Sequence, residues 1–182
     1  MRGRETETVL RDGTVCMLRS PGAEDGEAVL RHIRRVAAES PYTAFLPEDV
    51  PGTLREEQTF LKRQLASPDR LLLGCFVADR LIGLGGVGPV SASSKCRHRG
   101  ELAITIRRRW WGLSLGRLLV ERLCREARDL GYEQMELEVM EDNARAVALY
   151  ERCGFVTCGL LPDAYRAEGE SRAVQILSLI HI

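Results

Sequence analysis

The stretch from Ile104 to Gly116 constrains this chain more than any other. Ile104, Thr105 and Ile106 alternate like a half-buried strand. Arg107 to Ser114 is a bend rich in charge and small residues. Leu115, Leu119, Leu123, Ala127 and Leu130 then form an apolar stripe at helical spacing that stops at Gly131. A strand, a tight glycine-bearing turn and a helix N-terminus, in that order, build an anion site. The first amides of a helix have no internal partner, and the dipole there is positive. Gly112 and Gly116 permit close backbone approach, so the amides of Trp111, Gly112, Leu113, Ser114, Leu115 and Gly116 can converge on one anion, with Arg117 adding charge beside it. The run Arg107–Arg108–Arg109 reads as a solvated turn near that anion. Trp110 and Trp111 pack the loop or touch the ligand.

The rest of the chain must supply a core for this loop. Its 182 residues fit one domain, and 45% of them are apolar. The formal net charge is zero, so no bulk attraction to nucleic acid or to an anionic membrane is expected. The basic residues are 24 arginines and two lysines, Lys62 and Lys95, which reads as a coding bias. No signal peptide is expected, because polar Glu5–Thr6–Glu7–Thr8 stands where an apolar segment would be. The longest apolar run, Leu71 to Ala78, is too short to cross a bilayer. None of the six cysteines sits in a CxxC pair, and several fall inside apolar patterns. Free buried thiols in a reducing cytoplasm, with no metal, are the expectation.

Read in order, residues 1–7 are a disordered start and Val15–Arg19 is a first strand. Pro21–Gly22 opens a helix carrying Val29, Leu30, Ile33, Val36 and Ala37. Ser40–Gly52 is a loop. Thr53–Leu54–Arg55–Glu56 is a capping box that starts a second helix with Phe60, Leu61 and Leu65 inward. Leu71–Val77 and Leu81–Val90 form a hairpin, and Glu101–Ile106 is the next strand. Gln134–Val139 is a further strand, with Glu136 and Glu138 facing solvent or the substrate side. Asp142–Asn143 caps a short helix closed by Gly154. Phe155–Leu160 is a strand, Leu161–Ser171 a long loop and Ala173–Leu177 a last strand. The final residues, Leu177 to Ile182, equal the translation of a common sequencing adaptor. They are expected to be a non-native tail, which a genomic clone that diverges after Ile176 would establish.

Two motifs a helix and a strand apart carry the chemistry. The second is Asn143, Ala146, Tyr150, Gly154 and Phe155, matched without a gap to the pattern N-x-x-A-x-x-x-Y-x-x-x-G-F. With the loop before it, this resembles the GNAT superfamily of N-acetyltransferases, from about Val15 to Leu177. The loop departs from the pattern R/Q-x-x-G-x-G/A twice, with Trp111 at the Arg or Gln position and Ser114 at the first glycine. A helical φ at position 114 is expected to admit serine.

The resemblance implies an α/β (α+β layered) fold, a single GNAT domain over residues 8–177. Its central sheet would be mixed, mostly antiparallel and splayed, with about seven strands and about four helices. It implies acetyl-CoA as co-substrate and no metal. The diphosphate would sit on the amides of Trp111 to Gly116, and the pantetheine arm would pair with Ile104, Thr105 and Ile106 in a gap beside Gln134–Val139. Asn143 would bond that arm, and Tyr150 would approach the sulfur. Acetyl would pass to a primary amine, of a protein N-terminus or a small molecule, by direct attack in a ternary complex. Tyr150 is then the candidate acid for the leaving thiolate, and Glu101 the candidate base. Acceptor contacts would come from Tyr42, Glu48, Asp49, Asp163, Tyr165, Glu168 and Glu170. A homodimer stays open. The competing expectation is a CoA-binding, catalytically weak module for sensing or assembly, motivated by Trp111 and Ser114. A nucleotide-binding α/β domain fails on the Asn143–Tyr150 spacing.

Overall fold

The computed structural model describes residues 5–50, 52–167 and 169–182. Eight strands form one sheet: β1 (Thr6–Val9), β2 (Val15–Arg19), β3 (Leu71–Val77), β4 (Arg80–Pro89), β5 (Arg99–Ile106), β6 (Gln134–Met140), β7 (Val156–Ala167) and β8 (Glu170–Ile180). Their spatial order is β1-β2-β3-β4-β5-β6-β8-β7. The β5–β6 pair is parallel and every other neighbouring pair is antiparallel.

The four helices are α1 (Gly26–Glu39), α2 (Leu54–Ala66), α3 (Leu115–Asp129) and α4 (Ala144–Arg152). They cover the two faces of the sheet. Val29 of α1 and Leu61 of α2 pack on Phe76, Leu81 and Leu84. Leu115, Leu119 and Leu123 of α3 and Tyr150 of α4 pack on the opposite core with Leu71, Leu73, Ile82 and Leu102. This is why β3 reads as an unbroken apolar run: both of its faces are buried. The Thr53 capping box forms, with Thr53 N donating to Glu56 at 2.8 Å and Glu56 N donating to the Thr53 hydroxyl at 3.3 Å.

Two features place the functional loop. Glycines in β4 let α3 lie close: a Cβ on Gly85 would stand 2.7 Å from Leu123 Cδ1, and one on Gly83 3.1 Å from Leu119 Cδ1. The second is a split in the sheet. Strands β5 and β6 pair only at Arg99↔Gln134, Gly100↔Met135 and Glu101↔Glu136. Beyond Glu101 they part, while β5 stays zipped to β4 through Ile106 and β6 to β8 through Met140. Each strand therefore keeps one satisfied edge and turns an unpaired edge toward the gap. The expected splayed, mostly antiparallel sheet with four helices is what the structure shows, with eight strands where about seven are expected.

Four expectations need correction. The expected disordered start is structured where it is described: Thr6 and Glu7 belong to β1, opposite Leu18 and Met17. Residues 1–4 lie outside the described residues. The expected loop Leu161–Ser171 is mostly strand, because β7 and β8 make one long hairpin. Its pairing shifts register between Leu161 and Tyr165, and Asp163 has φ 54°, which broke the alternation that would reveal a strand. Phe60 is exposed rather than inward, since α2 buries only Leu61 fully. Cys158 is exposed, although all six cysteines are free. At the end of the chain, Leu177 and Leu179 continue β8 opposite Leu137 and Met135, and Leu177 is fully buried. Among the described residues no helix is long and apolar enough to cross a membrane.

Candidate active site

A cavity of about 760 Å³ lies where β5 and β6 part. Leu102 to Ile106 form one wall and Glu138 to Met140 the other. The loop after β5 and the start of α4 line its loop end. The loop after α1, with Ser40, Tyr42, Thr43 and Phe45, lines a further part with Tyr165 of β7.

The loop end is built for negative charge. A single 3-10 turn, Arg108–Trp110, follows β5, and α3 starts after Ser114. Ser114 does not have the helical φ expected of it. Its φ is 70°, in the left-handed region that glycine favours, which costs a serine about 1 kcal/mol. Its hydroxyl makes no capping bond, so the first amides of α3 are left open to the cavity. Gly116 is needed for packing: a Cβ there would stand 2.8 Å from Leu149 Cδ2 of α4. Trp111 holds the loop, with its indole N–H donating to the Ile106 carbonyl at 2.8 Å. The turn between β1 and β2 leans on the loop through Arg11 N, which donates to the Leu113 carbonyl at 3.2 Å.

Tyr150 is the most telling side chain. It is 6% exposed, it lines the cavity, and among the described residues its hydroxyl has no hydrogen-bond partner. Burial pushes its ionisation well above the ordinary tyrosine range, with the nearby Cys153 thiol adding to the shift, so the phenol keeps its proton. The edge of the Phe155 ring packs against it at 5.8 Å. Asn143 caps α4, its side-chain oxygen accepting from Ala146 N at 3.2 Å, and it also lines the cavity.

The structure thus gathers Ile104, Thr105, Ile106, Trp111, Gly112, Ser114, Gly116, Arg117, Asn143 and Tyr150 around one space. Leu113 and Leu115 turn their side chains into the core and offer only backbone. Glu101 is exposed on β5 and is not among the lining residues. The lining carboxylate is Glu138, which among the described residues has no ion pair. Tyr165 lies near both acids: burial raises its ionisation, and the charges of Glu138 and Glu101 add to the shift. Glu136, by contrast, is taken by Arg99 at 2.5 Å. Of the acceptor candidates, Tyr42 and Tyr165 line the cavity. Glu48 and Asp163 are exposed, and Asp163 pairs with Arg166. Glu170 lies 4.0 Å from Arg172. Glu168 and the side chain of Asp49 lie outside the described residues.

The sequence reading missed three cations and a histidine. Arg11, Arg145 and Arg152 line the loop end, and the Arg145 guanidinium stands over the Trp111 ring at 5.3 Å. They come from β1–β2 and α4, and no local pattern announces them. His32 of α1 is 2% exposed beneath β5, with Nε2 hydrogen-bonded to the Thr105 hydroxyl at 3.0 Å, and that hydroxyl donates to the Leu84 carbonyl. Burial lowers its pKa to about 4, so it is neutral. Among the described residues no cluster of three His, Cys, Asp or Glu side chains could hold a metal.

Comparison with known proteins gives a consistent picture. The acetyltransferase (GNAT) family profile matches residues 31–155. An acetyltransferase of the GNAT family from Streptococcus pneumoniae superposes with a TM-score of 0.86 at 26% identity, covering 91% of this chain and 98% of that one. A ribosomal-protein-alanine N-acetyltransferase from Brucella melitensis gives 0.79 at 21%, covering 90% and 98%. The yncA protein of Salmonella typhimurium, whose structure was solved with its cofactor acetyl-CoA, gives 0.81 at 17%, covering 92% and 94%. Among curated proteins, an uncharacterized protein of Mycobacterium leprae is 32% identical over 59% of this chain. An uncharacterized N-acetyltransferase of Dictyostelium discoideum is 34% identical over 37%. The matched stretches span 29% and 30% of those two proteins.

Proposed function

The chain belongs to the GNAT family of acetyltransferases, and we propose that it moves an acetyl group from acetyl-CoA to a primary amine while both substrates are bound. One observation carries this reading: a buried phenol, with no hydrogen-bond partner among the described residues, faces the gap where β5 and β6 part. A pantetheine arm carries amides that can pair with those edges. The open amides of α3 suit a diphosphate, and Arg145, held by Trp111, supplies the charge that position 111 lacks. The residues present therefore fit acetyl-CoA.

The chemistry then follows from placement. An ammonium has no lone pair to attack with, so it must first lose a proton. Glu138 is the lining carboxylate and takes that role directly or through water, with Glu101 adding negative charge nearby. The amine nitrogen bonds to the acetyl carbon, and a backbone N–H of the β5 edge stabilises the oxyanion. The carbon–sulfur bond breaks, the departing thiolate takes the proton that Tyr150 has kept, and the second proton shed by the new amide nitrogen reprotonates Tyr150. Holding amine and thioester together contributes as much as several kcal/mol. Acidic and aromatic groups at the acceptor end favour a cationic amine, of a peptide N-terminus or a small molecule. Six free cysteines suit a reducing, cytoplasmic setting.

Thiol release from acetyl-CoA against a panel of amines and peptide N-termini tests the reaction. Turnover with a cationic amine is expected. Glu138→Gln should then lower kcat by about 100-fold and Glu101→Gln by far less; the reverse order would return the base role to Glu101. A second reading, a CoA-binding module with little turnover, is favoured by the strained serine in the cofactor loop. Tight acetyl-CoA binding with no transfer to any amine would select it.

A further inference from the structure

Glu39 is the last residue of α1, at the negative end of the helix dipole, where a carboxylate is disfavoured. Two donors hold it there. Arg35 Nε lies 2.5 Å from Oε1, and the main-chain N–H of Arg108 lies 2.9 Å from Oε2. Arg108 opens the 3-10 turn of the loop after β5, and Arg107 before it provides no side-chain cap. Glu39 thus supplies, from another element, the acceptor that this turn lacks. Burial works against the charge, but the bonds from Arg35 and Arg108, helped by the charges of Arg35 and Arg107, outweigh it and hold the carboxyl below its ordinary range.

The two segments joined by this bond both line the cavity. Ser40, Tyr42, Thr43 and Phe45 follow Glu39 directly and line the acceptor end. Trp110, Trp111 and Gly112 follow Arg108 and line the loop end. Arg172 of β8 pins the acceptor loop separately, donating to the Pro41 carbonyl at 3.3 Å and standing over the Tyr42 ring at 5.9 Å.

We propose that Glu39 is a positioning residue that couples these two lining segments: ordering of the loop after β5 by coenzyme A is passed through the Arg108 amide to the acceptor loop at Ser40–Phe45. The inference rests on the reading that coenzyme A binds at residues 111–116. Hydrogen exchange with coenzyme A as the sole added ligand tests it without knowledge of the acceptor. In the unaltered protein, coenzyme A should slow exchange in peptides covering 111–116 and also, by about five-fold, in peptides covering 40–46.

Two substitutions break the bond from opposite ends. Glu39→Ala removes the acceptor. Arg108→Pro removes the donor at the first position of a turn, where proline is tolerated, and Arg107 already has the extended backbone (φ −60°, ψ 135°) that precedes proline. Both should keep the slowing at 111–116 and lose it at 40–46. Glu39→Gln, whose amide oxygen still accepts, should keep the slowing at both 111–116 and 40–46. Slowing at 40–46 that persists in Arg108→Pro or in a folded Glu39→Ala overturns the coupling, as does its absence in the unaltered protein when 111–116 responds. No response at 111–116 would instead sink the cofactor reading.

Discussion

Helices α3 and α4 both begin at the cavity, and they begin in opposite ways. Asn143 closes the start of α4, its side chain accepting from Ala146 N. Ser114 leaves the start of α3 open, with a left-handed backbone and no capping bond. The capped end has little left to offer an anion; the open end offers its first amides with the dipole behind them. Helix α4 contributes from farther along, where Tyr150 meets the cavity near its last turn. A helix start becomes a receptor when the chain declines to satisfy it locally, and here that refusal costs backbone strain at a serine.

Substitutions can break this contrast. The largest effect is expected from Tyr150→Phe, which keeps the ring packing against Phe155 and removes the proton. Steady-state assays should show kcat lower by about 100-fold or more with the melting temperature nearly unchanged; a full rate across pH would strip α4 of its chemical role. Next comes a carboxylate placed at each helix start. Ser114→Asp should occupy the open amides of α3 and weaken coenzyme A binding by about ten-fold in calorimetry, whereas Asn143→Asp, at an end already capped, should weaken it far less. Equal losses would erase the distinction between the two ends. Asn143→Ala should cost about 1 kcal/mol in urea unfolding. Ser114→Gly should gain slightly less than about 1 kcal/mol by relieving the left-handed serine, without loss of coenzyme A affinity; a destabilised glycine variant would mean the strain has been misread.

How much of this the sequence discloses depends on where each contribution originates. The strand–loop–helix unit and the Asn143-to-Phe155 spacing were readable because short-range geometry dictates glycine, cap and aromatic positions. The apolar stripes of α1 and α3 were readable for the same reason. Strand β1 was missed because Thr6–Glu7–Thr8–Val9 is polar and half exposed at the edge of the sheet. The β7–β8 hairpin was missed because Pro162, a left-handed Asp163 and a register shift look like a loop. Arg11, Arg145 and Arg152 reach the cavity only once distant elements fold together. Glu138 shows a limit of another kind. Alternation gave its outward direction, but only the parting of β5 and β6 makes that direction a cavity wall rather than solvent. Ser114 was misjudged because residue type alone does not report the sign of φ.

The split between β5 and β6 has a consequence for how such a protein can change over time. A groove edged by peptide groups holds its guest through atoms that every amino acid except proline carries. Replacing side chains along those edges leaves the grip intact, while a proline would cut it. The acceptor end relies instead on side chains borrowed from loops. The carrier and the cargo's destination are thus encoded in separate layers of the polypeptide, so the second can be rewritten without disturbing the first.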